Sequence, residues 1–163
     1  MSNIPANFTD AVFTLTDGAG HSAALPLGQG DINIGPLGQN GREVEVYRSR
    51  GANVGARLGA RKEIAFSGSA ILAGPRDAFM LLATGQTAGY VSVTADIGDA
   101  KGADWQLDYS YGAETRQLYG DDMIIRDLQF AEGSPSTVSY SGVILGPIYG
   151  KDASGTTTYV SAR

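Results

Sequence analysis

The chain has 163 residues, 23 of them glycine, and a net charge of −5 with one histidine and no cysteine. A glycine content twice the usual share of about 7% argues against a helix bundle, because glycine costs about 1 kcal/mol at each interior helical position. The lack of cysteine excludes disulfides, thiolate catalysis and zinc–sulfur sites; a lone histidine removes multi-histidine metal centres, and the negative charge disfavours a protein that grips nucleic acid.

The length suits one domain, 1–163, and with Val, Ile, Leu and Phe at 36 residues the core is modest. No apolar run approaches 18 residues, and the N-terminus shows no basic-then-apolar leader. The expectation is a soluble, unexported protein that is not an enzyme and uses no cofactor or metal.

Along the chain, short alternating runs separated by glycine clusters predict strands. Residues 7–17 place Phe13 and Leu15 on one face and Thr14 and Thr16 on the other; 31–34 is a short piece of the same kind. Residues 42–50 alternate Val44 and Val46, expected inward, with Glu43, Glu45 and Tyr47. Residues 63–72 set Ile64, Phe66 and Ala70 against Ala65, Ser67 and Ser69. Strands at 90–95 and 105–111 follow, the second stacking Trp105, Leu107, Tyr109 and Tyr111 on one face. Two long strands, 122–132 and 136–145, are joined at Gly133-Ser134-Pro135 as a hairpin. One segment departs from the pattern: Pro75, Asp77, Phe79, Leu82 and Gly85 predict a single helix over 75–84.

The expected fold class is therefore mainly β: a β-sandwich or open barrel of seven to eight strands with one short flanking α-helix. Two further features complete it. Residues 28–42 form an extended Gly-rich arm loop, with only Ile32, Ile34 and Leu37 to bury, and 51–59 form a second glycine loop. Ordering 35–42 alone would cost about 8–16 kcal/mol, so this loop is expected either to order under a neighbouring chain or to be a tolerated surface insertion, since long loops cost little extra closure entropy. The C-terminal extension, 147–163, ends in the strand-like Thr157-Thr158-Tyr159-Val160, whose apolar residues need somewhere to dock.

Chemical motifs are weak. Gly18-Ala19-Gly20-His21-Ser22-Ala23 has glycine spacing reminiscent of a dinucleotide loop, but no helix can follow it to meet a pyrophosphate. The Gly150-Lys151 pair carries Asp152 where a phosphate loop needs Ser or Thr, and Asn7-Phe8-Thr9 is a glycosylation sequon without meaning in an unexported chain. Asp104 with Asp121 is a conceivable glycosidase pair. Charge is segregated: 42–62 nets +4 and 96–132 nets −6. Between identical chains, that is a head-to-tail complementarity that closes rings or propagates filaments.

This order of features resembles the tail tube (major tail) proteins of long-tailed bacteriophages. The residues that carry it are the Gly-rich arm at 28–41, the EVEVYRSRG strand with its basic glycine loop (43–61) and the EIAFSGSAIL strand (63–72). The helix at 75–84 and the long hairpin 122–145, with AEGSPSTVSYSGVILGPI over 131–148, complete the match. The resemblance implies six copies closing a ring by sheet extension, and rings stacking into a hollow tube for DNA. Its partners would be itself, the tape measure and the terminator. DNA would be bound only transiently and a membrane not at all. It would be assembled in the host bacterial cytoplasm and end in the virion tail. It also implies inter-ring contacts, mapped to Gly35, Leu37, Asn40, Arg42, Arg48, Arg50, Arg57, Arg61, Tyr159 and Val160. No appended Ig-like domain is evident.

A conduit that lets a polyanion slide needs a polar, small and non-basic lining. The lumen candidates are Glu43, Glu45, Glu63, Ser67, Ser69, Asp127, Gln129, Thr137, Ser139 and Ser141. The opposite faces, including Val44, Val46, Leu128 and Phe130, would form the core. Ile125 shares its parity with Asp127, so the face assignment over 122–132 stays open, and a bulge there would reverse it. Competing readings are a tail terminator or secretion-tube subunit, a carbohydrate-binding sandwich using Trp105, Tyr109, Tyr111 and Tyr119, and a hydrolase.

Overall fold

The computed structural model describes residues 7–16, 21–26, 31–71, 91–92, 101–134 and 136–161. The chain is mainly β. Twelve strands, rather than seven or eight, run in order: β1 (Asn7–Thr16), β2 (Ser22–Pro26), β3 (Asp31–Ile34), β4 (Arg42–Ser49), β5 (Ala52–Arg61) and β6 (Ile64–Ile71), followed by β7 (Val91–Ser92), β8 (Lys101–Tyr111), β9 (Glu114–Ala131), β10 (Thr137–Ile144), β11 (Ile148–Asp152) and β12 (Gly155–Val160). The helix expected over 75–84, most of the strand at 90–95, and residues 18–20 of the GxGxxA motif lie outside the described residues; Ser22 and Ala23 of that motif begin β2.

Ten of the described strands form one antiparallel sheet whose path is β2-β1-β8-β9-β10-β6-β3, with β11 on β9, β12 on β11 and β7 on β8. β9 organises it. Its 18 residues are long for a strand, and its two ends serve different neighbours. Residues 117–120 pair with β11 and 123–131 with β10, so β10 and β11 lie end to end along the same flank. Between them Asp122 adopts a left-handed φ of 56° and its carbonyl accepts from the Leu145 amide at 3.1 Å. The sheet turns there, and its halves pack face to face as a sandwich.

The core lies between the halves. Phe13 of β1 stacks on Tyr140 of β10 at 5.5 Å, and Phe66 of β6 tilts against the same ring at 6.3 Å. Leu15, Ile64, Trp105, Leu107, Met123, Ile144 and Ile148 are fully buried around them. Each such side chain contributes about 1.5–3 kcal/mol by leaving water. The alternation read for 7–17, 63–72 and 136–145 is the one observed: Phe13, Leu15, Ile64, Phe66, Ala70, Val138, Tyr140 and Ile144 all point inward. Phe130, expected in the core, is 54% exposed, and Leu128 is only half-buried.

Between Ile125 and Asp127 the strand does bulge. Ser141 pairs with Asp127 and Gly142 with Ile125, leaving Arg126 as the extra residue. The two flanking residues therefore take opposite faces. Gly142 is obligatory at this corner, because a Cβ there would collide with the Ile124 carbonyl.

Candidate assembly surfaces

The outer face of β3, β6, β10 and the second half of β9 is built of cross-strand rows of small polar residues. One row runs Asn33, Ser67, Ser141, Asp127; the next carries Ser69, Ser139 and Gln129. They line a shallow depression with Gly68 and Tyr140 at its floor. Alternation produces this directly: the odd-numbered residues of β6 and β10 are polar and the even-numbered ones apolar or glycine over most of their length. Eight of the ten lumen candidates sit on this face: Glu63, Ser67, Ser69, Asp127, Gln129, Thr137, Ser139 and Ser141. Glu43 and Glu45 do not. They belong to β4, which is no part of this sheet.

Among the described residues, this four-stranded unit has an unpaired edge on each side. Among the described residues, no strand pairs with the outer edge of β3. The same holds for residues 124–131 of β9 on the side away from β10, since β8 pairs with β9 only as far as Met123. Open ladders on opposite sides of one sheet are templates for adding another strand.

β4 and β5 pair only with each other among the described strands. Ser49 faces Ala52 across a two-residue turn in which Arg50 (φ 51°) and Gly51 (φ 82°) are both left-handed, the geometry favoured by tight hairpins. Thus the expected basic glycine loop is a strand. The ribbon has two unlike faces. On one, Arg57 donates to Glu45 at 2.7 Å and lies over the Tyr47 ring at 5.4 Å, and the guanidinium holds the Glu45 carboxyl below its usual range. On the other, Val44 pairs with Leu58 and Val46 with Ala56. Instead of pointing inward, Val44, Val46 and Leu58 are 45%, 52% and 38% exposed; Val54, beside a bulge, is 64% exposed. Arg48 and Arg50 occupy the exposed tip. A two-stranded ribbon is marginal alone in water, and this one keeps an exposed apolar face among the described residues.

The segment expected to be a loose arm is instead the ribbon's fixed base. The Gly35 amide donates to the Ala65 carbonyl at 2.9 Å, and Gly35–Pro36 is cis. Leu37 packs on the core, the Gly41 amide donates to the Leu37 carbonyl at 2.9 Å, and the Lys62 amide donates to the Gly41 carbonyl at 2.8 Å. Gly41 is buried against Val160 and Ile64. Arg42 reaches the Gly59 carbonyl at 2.8 Å. Of the inter-ring candidates, Gly35, Leu37, Arg42 and Val160 are thus engaged within the fold, and Asn40 bonds to Ser161. Arg48, Arg50, Arg57 and Arg61 stand exposed on the ribbon, and Tyr159, 48% exposed, lies over Gly150. The C-terminal extension docks through Ile148 and Val160, both buried.

Of the sugar-platform candidates, Tyr109 is half-buried against the core. Trp105 is buried and Tyr119 is half-buried against Tyr149 at 5.3 Å, while the Tyr111 side chain lies outside the described residues. Burial, and then the charges of Asp121 and Asp122, raise the Asp104 carboxyl above its usual range. Among the described residues, no group of His, Asp or Glu is arranged to hold a metal.

Comparison with family models, curated proteins and solved structures gave no match. The surfaces therefore speak for themselves. What sequence reasoning missed was the ribbon. Its signal was present in Arg50-Gly51, a two-residue turn flanked by Val44 and Val46 before it and Val54, Ala56 and Leu58 after it.

Proposed function

We propose that this chain is a self-assembling tube subunit of the phage tail-tube kind. Copies join edge to edge into a ring, six by the resemblance, and rings stack into a hollow conduit through which DNA passes. The observation that carries this reading is the polar four-stranded face with an open ladder on each side. β3 of one copy laid against the outer edge of β9 in the next continues the sheet, and a head-to-tail contact of this kind closes into a ring. The serine rows then line the inside, where small uncharged groups let phosphates pass without gripping them. The β4–β5 ribbon, which contains 50–61, takes the stacking role that the resemblance spread over 35–42, 50–61 and 146–163. Its apolar face covers surface on the adjacent ring, and its arginines meet the acidic 96–132 region of another copy. The tape measure and terminator would cap such a tube, and the virion tail would be its final location.

The test is oxidative cross-linking of the double variant Asn33→Cys, Gln129→Cys, with Asn33→Cys, Asp127→Cys as a second register. Within one chain these positions are three strand spacings apart, about 14 Å, too far for a disulfide. The native chain has no cysteine to interfere. A ladder of covalent oligomers, with rings or tubes in negative-stain images, is the expected result. Protein that stays monomeric at high concentration in every salt tried would end the proposal.

A further inference from the structure

The polar face carries one guanidinium among its described residues, and it is there because of the bulge. Arg126 is the residue that β9 inserts opposite Ser141, and it borders a depression with Asn33, Glu63, Ser67 and Ser141. An arginine fork on such a surface matches phosphate oxygens in the same two-pronged manner as a carboxylate. Here both prongs are occupied: Arg126 Nη1 donates to Glu63 Oε1 at 2.7 Å and Nη2 to Oε2 at 2.9 Å. Arg126 belongs to β9 and Glu63 stands immediately before β6, 63 positions away in sequence. Both side chains are more than half exposed, so the pair counts for little as a stabilising contact. Its consequence is electrostatic. The remaining described groups of this face, Asn33, Ser67, Ser69, Asp127, Gln129, Thr137, Ser139 and Ser141, bear no positive charge.

We propose that Glu63 is a blocking residue: it occupies the Arg126 fork with a built-in anion, so that the phosphates of a nucleic acid moving over this face find no cation to hold them. The inference rests on the tube reading, which makes the face a lumen. It adds a specific residue that keeps the conduit slippery at the one point where the bulge introduces a cation.

The experiment uses assembled tubes and a labelled duplex DNA short enough to enter them, with retention read by co-sedimentation at low and moderate salt. Native tubes should retain little DNA. Glu63→Gln tubes should retain at least tenfold more at about 50 mM salt and lose that gain by about 200 mM, because each new phosphate contact steepens the salt dependence. Adding Arg126→Gln to Glu63→Gln should return retention to the native level. Glu43→Gln, which removes the same charge from the ribbon, should leave it unchanged. Retention unaffected by Glu63→Gln, or a gain that survives in the double variant, overturns the blocking role while leaving the tube reading intact. Protein that forms no tubes overturns both. The urea midpoint of each variant checks that folding is preserved.

Discussion

Asn40 Oδ1 accepts two hydrogen bonds from Ser161, from its amide at 2.6 Å and from its hydroxyl at 2.9 Å, across 121 positions of sequence. Next to this contact Gly41 is closed over by Val160, whose Cγ1 would lie 3.1 Å from a Cβ at that position. The last described strand therefore clasps the base of the β4–β5 ribbon and fixes where it leaves the sandwich.

The clasp gives a first expectation. Asn40 has a left-handed φ of 52°, which asparagine tolerates better than most residues. Asn40→Ala should lower stability by about 1–3 kcal/mol, through two lost bonds and added backbone strain. Asn40→Gly relieves the strain but not the loss of the bonds, so its urea midpoint should fall between native and alanine. Equal midpoints for all three proteins would show that the contact contributes nothing.

Glycines at two places should respond in opposite ways. Gly142→Ala pushes a methyl group into the Ile124 carbonyl at the sheet corner, and should cost more than about 3 kcal/mol or prevent folding. Gly55, in β5, has an ordinary φ, and a methyl group added there would meet nothing within 4 Å. Gly55→Ala should be within about 0.5 kcal/mol of native. Thermal unfolding of the two variants side by side decides the matter.

The ribbon's apolar face separates folding from assembly. Val44→Asp and Leu58→Asp alter side chains that are already exposed to water, so each should leave the monomer's stability within about 0.5 kcal/mol of native. Under the tube reading the same changes should shorten or abolish stacking while rings persist, as measured by negative-stain length distributions. Tubes of native length would remove this face from the stacking contact.

Asp104 sets a pH dependence. Its carboxyl titrates above the usual range because of burial and then the neighbouring Asp121 and Asp122. The folded state thus binds this proton more tightly than the unfolded one. The charged form is a destabilising element at neutral pH, and it is relieved as pH falls through the raised folded value toward the ordinary aspartate range. Asp104→Asn should raise the urea midpoint at pH 7 and lose that advantage progressively on acidification. An advantage that does not change with pH would refute the assignment.

The strands were legible wherever one face met the core and the other met water, since burial enforces a period of two. Phe13 and Leu15, Ile64 and Phe66, and Val138 and Tyr140 all announce themselves in this way. The serine face was legible for the same reason. The ribbon was not, because Val44 and Val46 follow the rule for an inward face and nothing local says that the partner is absent. Residues 35–42 were illegible for a different reason: their anchors, Ala65, Val160 and Ser161, lie far away in sequence. Glu43 and Glu45 shared the alternation of the lumen candidates, but strand membership, which decides their position, is a long-range property. The Arg126 bulge was foreseeable only as a conflict of parity between Ile125 and Asp127.

Because β9 belongs to both halves of the sandwich, neither half can melt while the other stays whole. A calorimeter should record one cooperative transition for the body of the molecule. The ribbon, joined to it only at its base, should exchange its amide protons long before that transition begins.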